Sequence, residues 1–331
     1  MPACWRRYNS PGNRAGHGEG GRSVKGEILK HLSQSSTALS GERLSDLIGV
    51  SRVAVWKHIR QLQELGYQIE AMPKGYRLLA APDTPFAWAF GDRAERVHYF
   101  PELGSTMDQA MTLARGGCPD FTVVVADRQT KGRGRLQRTW QSIQGGLYFT
   151  MVLRPKIPTA DSALINLAAA VDMAATLEDL YGIRAQLKWP NDVLVENRKL
   201  CGILSQMAAE PDRIEFVNLG IGVNVHNDTR DVEPPAISVA EITNRPVSRT
   251  VILSTFWDRL EQRLSQGGLG HVIGQWKERA MTLGRSVKVQ TLTESFEGRA
   301  VDLESKGGLI LEMGDGSLKT VVYGDCFHQE V

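Results

Sequence analysis

Lys188-Trp189-Pro190-Asn191-Asp192 ends a β-like run that begins at Ala185. It brings an aromatic face, a rigid bend, an amide and a carboxylate to one point of the chain. Upstream stands Gly132-Arg133-Gly134-Arg135, where glycines let backbone N–H groups and guanidinium forks close around an anion. Each motif alone has a bland reading: the Gly/Arg stretch as a solvated surface loop, Trp189-Pro190 as a buried corner. Together, in this order, they mark a site.

The block around them, residues 84–283, alternates β-like runs with helices. The runs are Val97 to Phe100, Thr122 to Ala126, Leu147 to Leu153, Ala185 to Trp189 and Phe216 to Val225. The best helix is Ser162 to Tyr181, rich in Ala and Leu and closed by Gly182. Several runs follow one another through short turns, so an α/β domain with a mixed sheet is predicted. Residues 284–331 read as short strands: Val287 to Gln290, Ser295 to Asp302, Leu309 to Met313 and Leu318 to Tyr323. Gly307-Gly308 and Gly314-Asp315-Gly316 supply the turns, and a small β-barrel is expected.

Residues 22–80 read differently. Ser23 to Leu32 is amphipathic, with Ile28, Leu29 and Leu32 on one face. Ser40 is placed to cap a short helix from Gly41 to Ile48, and Gly49-Val50 makes a turn. Ser51 caps a second helix, Arg52 to Leu65, whose Val55, Ile59 and Leu62 recur at helical spacing. Tyr67 to Glu70 and Tyr76 to Leu79 flank Met72-Pro73-Lys74-Gly75 as a hairpin. The sum is a winged helix–turn–helix, its helix–turn–helix near residues 41–60, followed by a linker from Ala80 to Pro85. The second helix carries Arg52, Lys57, His58 and Arg60, and Lys74 lies on the wing. That is a local footprint for phosphate contacts. Trp56 is expected in the core. A degenerate module that only packs against the rest of the chain is the alternative.

The 331 residues are 42% hydrophobic, enough for more than one buried core. Net charge is +2, so global charge names no partner and any nucleic-acid surface must be local. No apolar run is read as membrane-spanning, and no membrane partner is expected. Residues 1–21 carry Arg6, Arg7 and Arg14 without an apolar stretch, which excludes a secretory signal. They are rich in Gly, Asn and Ser and are expected to form a disordered tail. Cys4, Cys118, Cys201 and Cys326 are scattered without a CxxC. That fits a reducing cytoplasm and argues against a zinc site.

In this order the three blocks resemble the bifunctional biotin–protein ligase and biotin-operon repressor family. The motifs are Ser51-Arg52-Val53-Ala54-Val55-Trp56-Lys57-His58-Ile59, Lys74-Gly75-Tyr76, Gly104-Ser105-Thr106, Gln129 with Gly132 to Arg135, and Trp140. Lys188 to Asp192, Lys199-Leu200-Cys201-Gly202-Ile203-Leu204 and Gly220-Ile221-Gly222-Val223-Asn224 complete them. The resemblance covers nearly everything after the tail. It implies an N-terminal winged helix–turn–helix, a central mixed-sheet ligase domain related to class II synthetases, and a C-terminal SH3-like β-barrel. It further implies a two-step reaction with ATP, biotin and Mg²⁺. Biotin and ATP give biotinyl-5′-adenylate and pyrophosphate, and a carrier lysine then attacks the mixed anhydride. The implied partners are the biotin carboxyl carrier protein of acetyl-CoA carboxylase, operator DNA of biotin genes, and a second copy in a ligand-induced homodimer. One winged helix–turn–helix reads a single half-site, so two-fold pairing matches a pseudo-palindrome.

Adenylation brings a carboxylate against an anionic phosphate, so the site needs fixed cations. With Asp192, the catalytic candidates are Arg133, Arg135, Lys188 and Lys199. The resemblance assigns biotin to Ser105, Thr106, Met107, Gln129, Gly132, Arg133, Gly134, Arg135, Lys199 and Gly202. Ser105-Thr106 also reads as a helix N-cap before Met107 to Arg115. The nucleotide falls to Arg135, Arg138, Trp140, Asn191, Asp192 and Asn224, with Asp192 the Mg²⁺ ligand. DNA falls to Ser51, Arg52, Lys57, His58, Arg60 and Lys74. By base rate a tryptophan such as Trp140 is more often core than ligand. Gly220-Ile221-Gly222 implies close backbone approach but lacks the third glycine of a dinucleotide fingerprint. Cys118 and Cys201 read as ordinary buried thiols.

The chain departs from the family pattern at Met107, where a small polar residue is common, at Leu136-Gln137 in the loop, and at Pro73 in the wing. Two other functions compete. One is a biotin-sensing DNA-binding protein without ligase activity, against which Arg133, Arg135, Lys188, Asp192 and Lys199 argue. The other is a lipoyl ligase, which would lack the winged helix and the Lys-Trp-Pro-Asn-Asp turn.

Overall fold

A computed structural model describes residues 23–210, 213–230 and 232–329. The expected tail, residues 1–21, lies outside the described residues. The chain forms two units, one running to Pro82 and taking in Ala87–Glu95, the other holding Asp83–Phe86 and Arg96 onward.

In the first unit three helices precede a two-stranded hairpin. They are α1 (Val24–Gln34), α2 (Gly41–Ile48), α3 (Arg52–Glu64), β1 (Gln68–Met72) and β2 (Gly75–Ala80). Serine caps set the helix starts. Ser40 Oγ accepts from Arg43 N at 3.0 Å and Ser51 Oγ from Ala54 N at 3.2 Å. Gly49, at φ 75°, ends α2 in the left-handed conformation that makes the turn. Ile28, Leu44, Val55, Ile59 and Leu62 fill the small core. Gly75 cannot be replaced: at φ 132°, a Cβ there would lie 2.1 Å from the Leu39 carbonyl. This contact seats the wing against the α1–α2 connection, where Leu39 and Tyr76 exchange backbone bonds. Trp56 does not join the core: it is 54% exposed, outside the face of α3 that buries Val55, Ile59 and Leu62.

The second unit is built on a seven-stranded mixed sheet. Its strands are β3 (Val97–Leu103), β4 (Thr122–Gln129), β5 (Leu147–Leu153), β6 (Gln186–Lys188), β7 (Asp192–Val195), β8 (Arg198–Ala209) and β9 (Ile214–Val223). Their order is β3-β4-β5-β9-β8-β7-β6, with β3 parallel to β4 and all other pairs antiparallel. The helices α4 (Thr106–Arg115), α5 (Ser162–Tyr181), α6 (Val239–Ile242), α7 (Arg249–Ser265) and α8 (Val272–Glu278) accompany it. Thr159–Tyr181 is apolar and long enough to cross a bilayer, contrary to the sequence reading. The apolar run serves the core instead: α5 is buried from Leu164 to Leu177 at all but two positions and packs on α7, α8 and the sheet.

Within the same unit β10 (Ser286–Gln290), β11 (Ser295–Leu303), β12 (Leu309–Glu312), β13 (Leu318–Val321) and β14 (Asp325–His328) form the C-terminal antiparallel sheet, in the order β13-β12-β11-β10-β14. Trp189 ties the two sheets together. Its N–H donates to Thr282 Oγ1 at 3.0 Å and its indole Nε1 to the Gly307 carbonyl at 3.0 Å. Trp189 is therefore buried and structural, as the bland reading of the corner has it, while Pro190 is half-buried.

Candidate active site and nucleic-acid interface

The start of α4, the loop between β4 and β5, and the strands β6 to β9 line a cavity of about 510 Å³ in the second unit. Its floor is glycine. Gly202 on β8 faces Gly222 on β9 across the ladder. A Cβ on Gly202 would lie 2.7 Å from the Trp140 ring, and one on Gly222 would lie 2.5 Å from it. A Cβ on Gly220 would meet Met107 Sδ at 2.6 Å. The Gly220-Ile221-Gly222 pattern thus lets two large side chains lie against the sheet. Trp140 in turn carries Lys199 Nζ 5.2 Å from its ring centre, within cation–π range.

One end of the cavity is lined by hydroxyls and an amide. Ser105 precedes α4, but its hydroxyl makes no capping bond. It is 3% exposed and has no hydrogen-bond partner among the described residues. Beside it Thr106 donates to Gln129 Oε1 from its N–H at 2.7 Å and from its hydroxyl at 3.1 Å. Thr150 Oγ1 donates to Thr106 Oγ1 at 2.8 Å, and Gln129 Nε2 donates to Ser142 Oγ at 2.8 Å. Most of this cluster is internally satisfied, which leaves Ser105 Oγ as the unspent group.

The other end is charged. Lys188 and Asp192 are opposite each other on β6 and β7, and Asp192 lies opposite Gly202 on β8. Lys199 Nζ stands 2.8 Å from Asp192 Oδ1. Arg133 instead stands toward the Ser105 side, where its Nη2 spans both oxygens of Asp108, in the first turn of α4, at 2.8 and 2.9 Å. Arg138 Nη2 lies 2.7 Å from Asp325 Oδ2, and its guanidinium stacks 5.5 Å from the Phe327 ring centre. Burial disfavours the charge on Arg135, while the carboxylates of Asp325 and Asp192 partly restore it. Burial also pushes the Cys326 thiol at the cavity wall up to about 12, so it stays protonated at neutral pH. The Gly/Arg loop closes on itself through Gly134 N to the Arg138 carbonyl at 2.7 Å and Trp140 N to the Gly132 carbonyl at 3.0 Å.

The cavity brings together Ser105, Thr106, Met107, Gln129, Arg133, Gly134, Arg135, Arg138, Trp140, Lys188, Asn191, Asp192, Lys199, Gly202 and Asn224. Gly132 is not in its lining; a Cβ there would meet the Trp140 carbonyl at 2.3 Å, so its place is loop packing. Asn191 and Asn224 spend amide bonds on the scaffold. Asn191 Nδ2 donates to the Ile203 carbonyl at 2.5 Å and Asn224 Nδ2 to the Lys199 carbonyl at 3.1 Å, while Asn224 Oδ1 accepts from Asn227. Sequence reasoning missed Asp108, Asp325 and Phe327, the partners of the arginines. Nothing local marks the last two, which come from the far end of the chain.

In the first unit Arg52, Lys57, Arg60 and Lys74 are exposed on α3 and the wing, and Ser51 is the α3 cap. His58 is different. It is half-buried, and burial together with Lys25 lowers its tendency to protonate.

A model of the Biotin/lipoate A/B protein ligase family matches residues 105–224, an HTH domain model residues 26–77, and the Biotin protein ligase C terminal domain residues 282–329. The chain is 34% identical over 313 residues to the bifunctional ligase/repressor BirA of Bacillus subtilis, covering 90% of this chain and 96% of that protein. It is 28% identical to the Escherichia coli protein of that name, covering 86% and 91%. The biotin protein ligase of Aquifex aeolicus, solved with biotin and ATP, superposes with a TM-score of 0.61 at 28% identity, over 71% of this chain and 99% of that one. With this agreement along nearly its whole length, the chain belongs to the bifunctional biotin–protein ligase and repressor family.

Proposed function

We propose that the cavity forms biotinyl-5′-adenylate from biotin and ATP and passes biotin to a lysine of a biotin carboxyl carrier protein. The first unit serves as the DNA-binding half of a biotin-dependent repressor. The observation that carries the reading is the polarity of the cavity. An unpaired buried hydroxyl stands at one end and a cluster of cations at the other, with a glycine floor between. A ureido ring suits the first end and a carboxylate meeting a phosphate suits the second.

In this assignment Ser105 meets the ureido group, and Thr106 and Gln129 hold the wall that positions it. Met107 flanks the bicyclic ring, and Trp140 covers the adenine. Lys188, Lys199, Arg133, Arg135 and Arg138 offset charge on the carboxylate and phosphates as the new anhydride bond forms. Asn191 and Asn224 act by fixing the strand ends that carry Asp192 and Lys199. Asp192 offers a carboxylate beside this cluster and would hold Mg²⁺ jointly with the phosphates of ATP, where the ion neutralises phosphate charge. The carrier lysine then attacks the acyl carbon, and AMP leaves. Residues 22–80, 84–283 and 284–331 divide these tasks as DNA-binding, catalytic and C-terminal segments. The working protein is a cytoplasmic, ligand-induced homodimer on a pseudo-palindromic operator.

The test is transfer of labelled biotin to a biotin carboxyl carrier domain with ATP and Mg²⁺. Label in the carrier with pyrophosphate release supports the reading. Binding of biotin with neither product would leave a sensor without ligase activity.

A further inference from the structure

Helix α3 has two apolar faces. Val55, Ile59 and Leu62 are buried in the first unit. Away from that face Val53 is 74% exposed and Trp56 54% exposed. Val53, Trp56, Lys57 and Arg60 follow the i, i+3, i+4, i+7 spacing of a single helical stripe. The Arg60 guanidinium lies 6.0 Å from the Trp56 ring centre, so a cation stands beside the indole. An exposed tryptophan and valine side by side are costly to leave in water, and neither holds the fold together. Exposed Arg52, Lys57, Arg60 and, on the wing, Lys74 surround them with positive charge. The occupant this surface fits is therefore an anion with apolar features between its charges. In a major groove, the 5-methyl groups of thymine are such features, set between two rows of phosphates.

We propose that Val53 and Trp56 are specificity-determining residues that read thymine methyl groups, while Arg52, Lys57 and Lys74 set the register on the phosphates. This rests on the DNA-binding reading of the first unit and goes beyond it. It divides the helix into contacts that depend on sequence and contacts that do not.

The experiment uses the full chain with biotin and ATP, and a library of random-sequence duplexes. Sites are enriched on the wild type, on Val53→Ala, on Trp56→Ala and on Lys57→Ala, with melting curves to confirm that each variant is folded. In the enriched site each thymine is then replaced by deoxyuridine, which lacks only the methyl group. Removing one buried methyl should cost the wild type about fourfold in affinity at one or more positions. The same replacement should cost Trp56→Ala or Val53→Ala nothing, and those variants should enrich a site with a relaxed base there. Lys57→Ala should weaken binding to all duplexes alike. Variants that enrich the wild-type site with unchanged deoxyuridine sensitivity would overturn the proposal while leaving DNA binding intact. A wild type that enriches no site would overturn the DNA-binding reading and this proposal with it. A loss of dimer in sedimentation on Trp56→Ala, with the enriched site unchanged, would reassign the face to a second copy.

Discussion

Lys199→Met removes one charge and little else. The methionine keeps the unbranched stem that packs under Trp140, so the glycine floor is not emptied. In the folded protein the ammonium stands 2.8 Å from Asp192 Oδ1, and both side chains are about one-fifth exposed. Two unit charges at that separation attract by about 6 kcal/mol at an effective dielectric constant of about 20. Solvent screening and the cost of desolvation bring the net worth of such a partly exposed pair to about 1 kcal/mol. Stability should therefore fall by no more than that. Catalysis should fall further, because charge that develops on the phosphate has no water to replace the missing ammonium. A fixed donor at such a point contributes about 2–4 kcal/mol to the transition state. We expect pyrophosphate release at saturating ATP to fall about thirtyfold to a hundredfold, the lower part of that range. Synthetic biotinyl-adenylate should restore carrier labelling to within about tenfold of wild type, since the anhydride is then already made. Adenylation assayed as pyrophosphate release and transfer assayed from supplied adenylate separate the steps. Equal losses in both, or no loss in the first, would refute the role given to Lys199.

Ser105→Ala deletes a hydroxyl that has no partner, so melting should shift little while KM for biotin rises about tenfold, the loss of one hydrogen bond to a buried group; an unchanged KM would remove Ser105 from the site. Gly222→Ala drives a methyl to 2.5 Å from the Trp140 ring and should cost about 1–3 kcal/mol in urea unfolding together with ATP affinity; a neutral result would mean the ring is free to lift. His328 is held down to about 4 by burial, with Lys188 and Arg285 adding to the effect. Its folded value lies below its unfolded value of about 6.5, so the unfolded chain binds the extra proton first. Stability should be constant above pH 7 and fall as pH drops from about 6.5 to 4, by at most about 3 kcal/mol before solvent screening of the half-buried ring. His328→Phe should flatten that slope in urea titrations. Arg249→Met opens a buried cluster in which the guanidinium joins Asp83 at 3.0 Å and Asp127 at 2.8 Å; the carboxylates left behind should cost about 3–5 kcal/mol of stability by urea unfolding.

Much of the architecture is written in short-range signals. Ser162 to Tyr181 and Leu147 to Leu153 have the bounds their patterns predict, because Gly182 stops the one and every residue of the other is buried. The serine caps of α2 and α3 form the bonds their spacing implies. Other elements hid. Strand β8 begins Arg198-Lys199 and carries Gly202, Ser205 and Gln206, a half-buried mixture without clean alternation. The spacing of α7 is legible in Ile252, Leu253, Phe256, Trp257 and Leu260, with Ser248 as its cap. Trp56 was misplaced because an aromatic on a helix is usually core, and only the packing of α3 shows which side is covered. At the site the cations could be named from the motifs, but not their partners. Arg138 finds Asp325 across most of the chain, and no local pattern encodes that meeting.

The bonds from Trp189 to Thr282 and Gly307 have a consequence for how this protein can be taken apart. On paper the last segment looks like a removable cassette, joined to the catalytic segment at one point. In the folded chain the tryptophan between Lys188 and Asp192 is clamped from beyond that point. A chimera that borrows the C-terminal segment from a distant relative would inherit that relative's carbonyl position and so re-aim two charged residues of the catalytic segment. The join between these two segments is therefore not a seam at which such proteins can exchange parts, and the stretch from Lys188 to Gly307 has to be inherited as one piece.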